Sequence, residues 1–405
     1  MSAHAPADYQ ARIESDLLRN ILPFWMERVA LEHGFVGAMT NDLKVDPSAE
    51  RGALLTSRIL WTYSAAYLHY RDPGYIAMAD HAYEDLMAHF RDPKHGGYFW
   101  SIGPDDAVLR DRKQVYGQVF AIYALSEYHA ASGRQEALDQ AIAAYRLVEV
   151  YARDRRQGGY IEALGRSWEP IEDMRLSDVD KNEPKSQNTH LHVMEAYTRL
   201  LSVWPDPALR GQLIDLVGIM LDRIVDATSG HLGLFFSMDW ALRSDRVSYG
   251  HDIEAAWLLC QTADALADKG LQARIRPLAV RIADATLAEG VDADGGIYNE
   301  GGPQGLTNTD KEWWPQAEAV VGFLNAYELS GDERHLSAAL HTWDFIEKHI
   351  IDGKNGEWLR GVTREGAPLG GQLKVSFWKC PYHNGRAGLE AVRRLGAIAG
   401  RMKAS

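Results

Sequence analysis

Gly96-Gly97-Tyr98-Phe99-Trp100 is the stretch on which the fold turns. Its doubled glycine stops an amphipathic helical pattern that runs from Tyr75 to Phe90, and the aromatic residues after it open a new segment. Glycine just past a helix is the common way to end one. The same stop recurs as His33-Gly34-Phe35, Gly158-Gly159-Tyr160, Gly230-His231-Leu232-Gly233, Gly295-Gly296-Ile297-Tyr298 and Gly356-Glu357-Trp358. A recurrence every roughly 60–70 residues is the mark of an internal repeat.

Working outward from each stop, the helix before it carries charge on one face at helical spacing. These segments are 7–32, 75–90, 135–151, 209–224, 271–288 and 333–350. They predict an outer, solvated ring. The helix after each stop is richer in alanine, glycine and aromatic residues: 54–70, 116–131, 188–203, 251–267, 315–329 and 384–397. These predict an inner, buried ring. Turn signals such as Asp72-Pro73-Gly74, Pro205-Asp206-Pro207 and Ser330-Gly331-Asp332 separate inner from outer helices. The expected fold is all-α: an (α/α)6 barrel, a toroid of six helical hairpins, as one domain over residues 1–405. The long segments 163–187 and 361–381 exceed simple connections, which points to function at that rim. Short β-hairpins are expected there, and no extensive sheet.

Bulk composition narrows the partners. The 405 residues carry a formal net charge of −13, which disfavours nucleic acid and anionic membranes. Hydrophobic residues make up 46%, enough for a large core, and no apolar run is long enough to span a bilayer. Two cysteines, Cys260 and Cys380, form neither a disulfide framework nor a metal-type spacing. The opening Met1-Ser2-Ala3-His4-Ala5-Pro6 lacks an export signal, so a cytoplasmic protein is expected. A monomer is expected as well, because the ring buries its own apolar faces. Twelve tryptophans and 18 tyrosines suit a core and equally suit stacking on sugar rings.

Each inner helix starts with polar or aromatic residues that differ from unit to unit. Arg58 lies in the first, Tyr116 in the second, and Asn188 and His192 in the third. His251, Glu254 and Trp257 lie in the fourth, Trp314 and Glu318 in the fifth, and Trp378 and His383 in the sixth. Asn188 and His192 are i and i+4; His251 and Glu254 are i and i+3, with Trp257 continuing the stripe; Trp314 and Glu318 are i and i+4. Such pairs share a helix face. In a closed ring, His192, His251 and His383 converge.

Histidine both takes and gives a proton near neutral pH. Two imidazoles on opposite sides of one carbon can remove and return a proton there, and a carboxylate such as Glu254 would fix the tautomer of His251. Arg58 would hold a developing enolate oxygen. The set suits proton abstraction next to a carbonyl. Alone, any of these histidines reads as a structural, hydrogen-bonded residue; three at equivalent places in a repeat read differently. His190 is off the face of His192 and reads as structural, and His231 reads as a loop residue. Trp61, Trp204 and Trp343 read as core. Arg58, if buried, needs a partner such as Glu254 or Glu318. A metal site has candidate ligands, although neither HExxH nor paired Cys spacing is present. A glycosidase would use two carboxylates among Asp252, Glu254 and Glu318. No Gly-rich phosphate loop or nucleophile elbow appears, and no cofactor or metal is called for.

The ordered set Lys181-Asn182-Glu183, Asn188-Thr189-His190-Leu191-His192, Gly250-His251-Asp252-Ile253-Glu254, Trp313-Trp314-Pro315-Gln316-Ala317-Glu318-Ala319 and Trp378-Lys379-Cys380-Pro381-Tyr382-His383-Asn384-Gly385-Arg386 resembles the N-acylglucosamine 2-epimerase superfamily, and within it the cellobiose 2-epimerases. The resemblance extends from about Arg12 to Arg394. It implies an (α/α)6 barrel and metal-free inversion at C2 of the reducing-end glucose of β-1,4-linked disaccharides: cellobiose to glucosyl-mannose, or lactose to epilactose, with mannobiose-type sugars in the same class. It implies ring opening, proton removal to a cis-enediolate, rotation about C2–C3, and return of a proton on the other face. By motif, His251 and His383 would be the acid/base pair, and His192 would orient the C1–C2 oxygens. Arg58, Tyr116 and Asn188 would hold the enediolate, and Glu254 would support His251. Trp314 and Trp378 would stack on sugar, with Glu318 and Trp257 completing the pocket. An aldose–ketose isomerase acting on mannose or a related monosaccharide shares the enediolate and is the nearest alternative. A sugar-binding protein without turnover and a glycoside hydrolase are the more distant ones.

Overall fold

Capping residues cut the chain into helical hairpins much as the turn signals predict. The computed structural model describes residues 5–404; Met1-Ser2-Ala3-His4 of the expected leaderless start, and Ser405, lie outside the described residues. The outer helices are α1 (Ala5–Asp16), α3 (Pro73–Asp85), α5 (Gln135–Leu147), α7 (Pro207–Ile219), α9 (Lys269–Ala285) and α11 (Glu333–Phe345). Asp72, Asp206, Asp268 and Asp332 cap four of them by accepting backbone N–H groups of the first turn. The inner helices are α2 (Ala53–Tyr70), α4 (Val115–Ser132), α6 (Gln187–Val203), α8 (Tyr249–Leu266), α10 (Trp313–Ser330) and α12 (Tyr382–Ala404). Every outer helix runs on into a five-residue π-type turn before its stop, for example Leu86–Phe90 and Ile346–Ile350.

The rings close as expected. Each inner helix packs on the next, α12 packs back on α2, and α1 covers α12 from outside. The inner helices are buried on nearly all sides: α4 carries 14 buried residues from Val115 to Tyr128. This (α/α)6 barrel differs from its sequence outline mainly at the last inner helix, which runs on to Ala404. Among the described residues, no helix is long and apolar enough to cross a membrane.

The rim strands form a girdle. The two residues before each of the first five inner helices pair with the strand after the next unit's stop: 51–52 with 101–102, 113–114 with 163–164, 185–186 with 235–236, 247–248 with 300–301 and 311–312 with 361–362. The circle closes where 373–375 pairs with 39–40. The inner-helix starts are therefore tied neighbour to neighbour.

Buried ion pairs fasten four of the six stops to the inner helix that follows. Lys113 binds Asp92 at 2.9 Å, Lys185 binds Asp154 at 2.8 Å, Lys311 binds Asp292 at 2.8 Å and Lys374 binds Asp352 at 2.6 Å. All four lysine side chains are fully buried. Unit four has Val247 at this place and joins His231 to Asp252 instead, at 2.7 Å. A second tie comes from the fourth residue after four of these strands. Gln118, His190, Asp252 and Gln316 accept the backbone N–H of Tyr98, Tyr160, Leu232 and Ile297. This confirms His190 as structural. It also explains Gly159, whose φ is +78°, because a Cβ there would lie 2.5 Å from His190 Nε2.

Candidate active site

Because every inner helix starts at the girdle, the residues of its first turns face one end of the bore. A cavity of about 390 Å³ opens there. Nine of the eleven predicted site residues line it: Arg58, Tyr116, Asn188, His192, His251, Glu254, Trp314, Trp378 and His383. Trp257 and Glu318 do not. They are 1% and 0% exposed and lie under the cavity floor, where the Trp257 indole donates to Glu318 Oε2 at 3.1 Å. The expectation that Trp257 contacts sugar is corrected: its helix face is right, but its depth along the bore is not.

The three histidines converge, and each has its Nδ1 engaged. His192 Nδ1 lies 2.8 Å from Glu195 Oε2, His251 Nδ1 lies 2.9 Å from Ser248 Oγ, and His383 Nδ1 lies 2.6 Å from Glu318 Oε1. The remaining ring nitrogen, Nε2, is thus the one left for chemistry. Burial lowers the pKa of all three. His251 falls to about 3, with the charge of His192 adding to the effect. For His383 the Arg58 and Arg386 guanidiniums push it further down, whereas Glu195 partly offsets the shift for His192. All three imidazoles are neutral at pH 7 and able to accept a proton. Trp314 packs against two of them, with ring centres 4.6 Å from His251 and 5.6 Å from His383.

The expected carboxylate support of His251 is also corrected. Ser248, one turn earlier, takes its Nδ1. Glu254 is drawn away to the Arg386 guanidinium, which binds Glu195, Glu254 and Glu318 together with the Tyr382 hydroxyl. Three carboxylates converge on this one buried arginine and offset the cost of taking its charge out of water. Burial raises the carboxyls of Glu254 and Glu318, with mutual repulsion adding for Glu254 and Arg386 opposing for both. For Glu195, Arg386 and His192 overcome burial and hold the carboxyl at about 2.

Arg58 differs from both sequence-based expectations for its partner. It is 2% exposed, yet among the described residues no carboxylate pairs with it. Its Nη2 donates to the Tyr116 hydroxyl at 2.8 Å, and its guanidinium lies 4.3 Å from the Phe120 ring centre and 4.9 Å from that of Tyr382. A buried guanidinium held by rings and a phenol keeps its charge available to an anion in the cavity. Asn188 adds an Oδ1 with no partner among the described residues. Trp378 stands half-buried at the mouth against Trp100, Phe377 and Tyr116.

Glu254, Glu318 and His383 bring potential ligand atoms within 4.8 Å of one another. The Arg386 guanidinium binds both carboxylates of that set, so it fills the place a metal cation would take. The glycosidase set also separates: Asp252 faces the outer ring with His231, and Glu318 lies under the floor.

Sequence reasoning assigned no role to Ser248, Glu195, Tyr382 or Arg386. The signal was present. Ser248 precedes His251 by three residues, Glu195 follows His192 by three, and Arg386 follows His383 by three, each on a shared helix face. On the far side of the floor a second cavity of about 450 Å³ opens at the other end of the bore, lined by Trp61, Tyr123, Arg199 and Arg393 and reaching Glu195, Trp257 and Arg386.

Comparison with known proteins agrees with this arrangement. The N-acylglucosamine 2-epimerase family model matches residues 34–384. A cellobiose 2-epimerase of Bacteroides fragilis is 44% identical over 381 residues, covering 93% of this chain and 97% of that one. The solved structure of cellobiose 2-epimerase from Spirochaeta thermophila superposes with a TM-score of 0.89 at 40% identity, covering 97% and 98%. A D-mannose isomerase of Thermobifida fusca is 26% identical, with 90% and 89% covered.

Proposed function

Because the chain belongs to the N-acylglucosamine 2-epimerase family, we propose that it inverts C2 of the reducing-end glucose of β-1,4-linked disaccharides, converting cellobiose to glucosyl-mannose and lactose to epilactose. The observation that carries this is Arg58: a buried cation with no carboxylate partner among the described residues, beside three neutral imidazoles. An enediolate is an anion formed by proton loss to a neutral base, so this site favours the intermediate over the neutral sugar.

The sugar opens to its aldehyde form. His251 and His383 act as the acid/base pair at C2, and His192 orients the C1 and C2 oxygens. Arg58, Tyr116 and Asn188 hold the developing negative charge. Trp314 and Trp378 stack on the sugar rings. Because residues from all six inner helices contribute, the chain 1–405 works as one catalytic domain. It needs no metal, so full activity in EDTA is expected. A monomer in solution is expected by light scattering.

The test is incubation with cellobiose in D2O followed by NMR. Deuterium at C2 together with glucosyl-mannose supports the assignment. Glucosyl-fructose as the main product replaces it with an aldose–ketose isomerase, and release of free glucose replaces it with a hydrolase.

A further inference from the structure

The proposed chemistry leaves an acid to be found. All three cavity histidines are neutral, and His383 with its Nδ1–H on an ionised Glu318 could only accept at Nε2. Inversion needs one face to donate. Among the described residues, Glu318 is the only carboxylate bonded to an imidazole of the proposed acid/base pair, and it lies beneath His383 in the layer under the floor.

That layer holds more carboxylates than cations. Glu318 on α10 faces His383 and Arg386 from α12, Trp257 and Glu254 from α8, and Glu195 from α6. Among the described residues, Arg386 is the only arginine or lysine bonded to these three carboxylates, all of them buried. Glu254 and Glu318 both bring Oε1 to the same nitrogen, Arg386 Nη2. Glu254 Oε2 is buried with no partner among the described residues. Two carboxyl groups crowded on one guanidinium nitrogen cannot both ionise at low cost; a shared proton relieves the repulsion.

We propose that the Glu254–Glu318 pair stores one proton and that Glu318 relays it through the imidazole of His383 to C2, making His383 the acid of the pair. The inference rests on the epimerase assignment above. In the delivering direction His383 carries its proton on Nε2. The enediolate π electrons form the new C2–H bond with that proton while the C1 oxygen becomes a carbonyl. In the same movement Nδ1 takes the proton of Glu318, which is left as a carboxylate on Arg386. In the reverse direction Nε2 takes the C2 proton and Nδ1 returns its own to Glu318. His251, whose Nδ1 meets only the Ser248 hydroxyl, has no such store; it takes the first proton as a simple base and leaves the cycle as a cation. Water entering on product release carries that proton to His383 Nε2, and Nδ1 returns its own to Glu318. Glu318 touches no substrate and acts only through His383.

The test separates abstraction from inversion. In Glu318→Gln the amide still accepts a hydrogen bond but holds no transferable proton. With cellobiose and glucosyl-mannose offered separately in D2O, one of the two epimers, the one whose C2–H faces His251, should exchange within about tenfold of the wild-type rate without inverting. Inversion of either should fall by about 10²-fold or more. Inversion within a few-fold of wild type overturns the relay, as does equal loss of exchange and inversion in a folded variant. Should the amide variant fail to fold, Glu318→Asp carries the same comparison: its carboxyl stands further from Nδ1, so inversion should drop more than exchange, and an equal drop overturns the proposal. A wild-type protein that exchanges C2–H of neither sugar overturns the epimerase assignment itself, and the relay with it.

Discussion

His192 and Glu195 stand one turn apart on α6, with Nδ1 2.8 Å from Oε2, and the same carboxylate also receives Tyr382 and Arg386. Removing one member of such a buried set leaves the others uncompensated. Glu195→Ala is expected to destabilise the fold by about 3–5 kcal/mol, read by denaturant unfolding. Glu195→Gln should cost less. Its deficit should also depend on pH. The folded carboxyl sits at about 2, below its ordinary 4.5, so its ionised form contributes stability above pH 4.5 that is lost as pH falls toward 2. The gap between wild type and Gln should therefore narrow on acidification.

His251→Ala and His383→Ala should each lower turnover by about 10²–10⁴-fold while melting temperature moves by only a few degrees. His190→Ala is the contrast. It leaves the Tyr160 N–H unbonded in the core, and should cost about 1–3 kcal/mol of stability while activity per folded molecule stays.

The pH profile follows from burial of the base. With His251 at about 3, the neutral, proton-accepting form is present at every pH well above 3. As pH falls, kcat/KM should therefore pass through the ordinary histidine region near 6.5 without a step. A clear inflection at that pH would show an exposed, ordinary imidazole as the base.

Trp378→Ala removes an aromatic face at the cavity mouth that is backed by Trp100, Phe377 and Tyr116. Its position away from the imidazoles predicts a larger rise in KM for cellobiose than for glucose, with a smaller change in kcat. Steady-state kinetics on the two sugars decides it.

The ring was legible because glycine stops and helical periodicity are local signals, and the observed helices agree with the repeat within a few residues at most ends. Periodicity also tells which face of a helix looks into the bore, which is why nine of the eleven site residues line one cavity. It does not tell how deep a side chain reaches. Trp257 follows His251 by six residues, about 9 Å further along the helix at 1.5 Å per residue, and Glu318 follows Trp314 by four, about 6 Å. Both therefore share the right face and pass beneath the floor. Partner choice was hidden for another reason. Glu254 lies one turn along the helix from His251, but a charge on a distant helix, Arg386, outcompetes the neighbouring imidazole. The partners of the buried lysines Lys113, Lys185, Lys311 and Lys374 were hidden in the same way, since their aspartates lie some twenty to thirty residues upstream.

The two cavities at opposite ends of the bore give the molecule the shape of an hourglass, with Glu195, Trp257 and Arg386 at its waist. A reaction that must keep water from an enediolate thus depends on the packing of that waist. Shortening Trp257, which bonds Glu318 and not a group lining the cup, would turn a sealed cup into a leaking pipe.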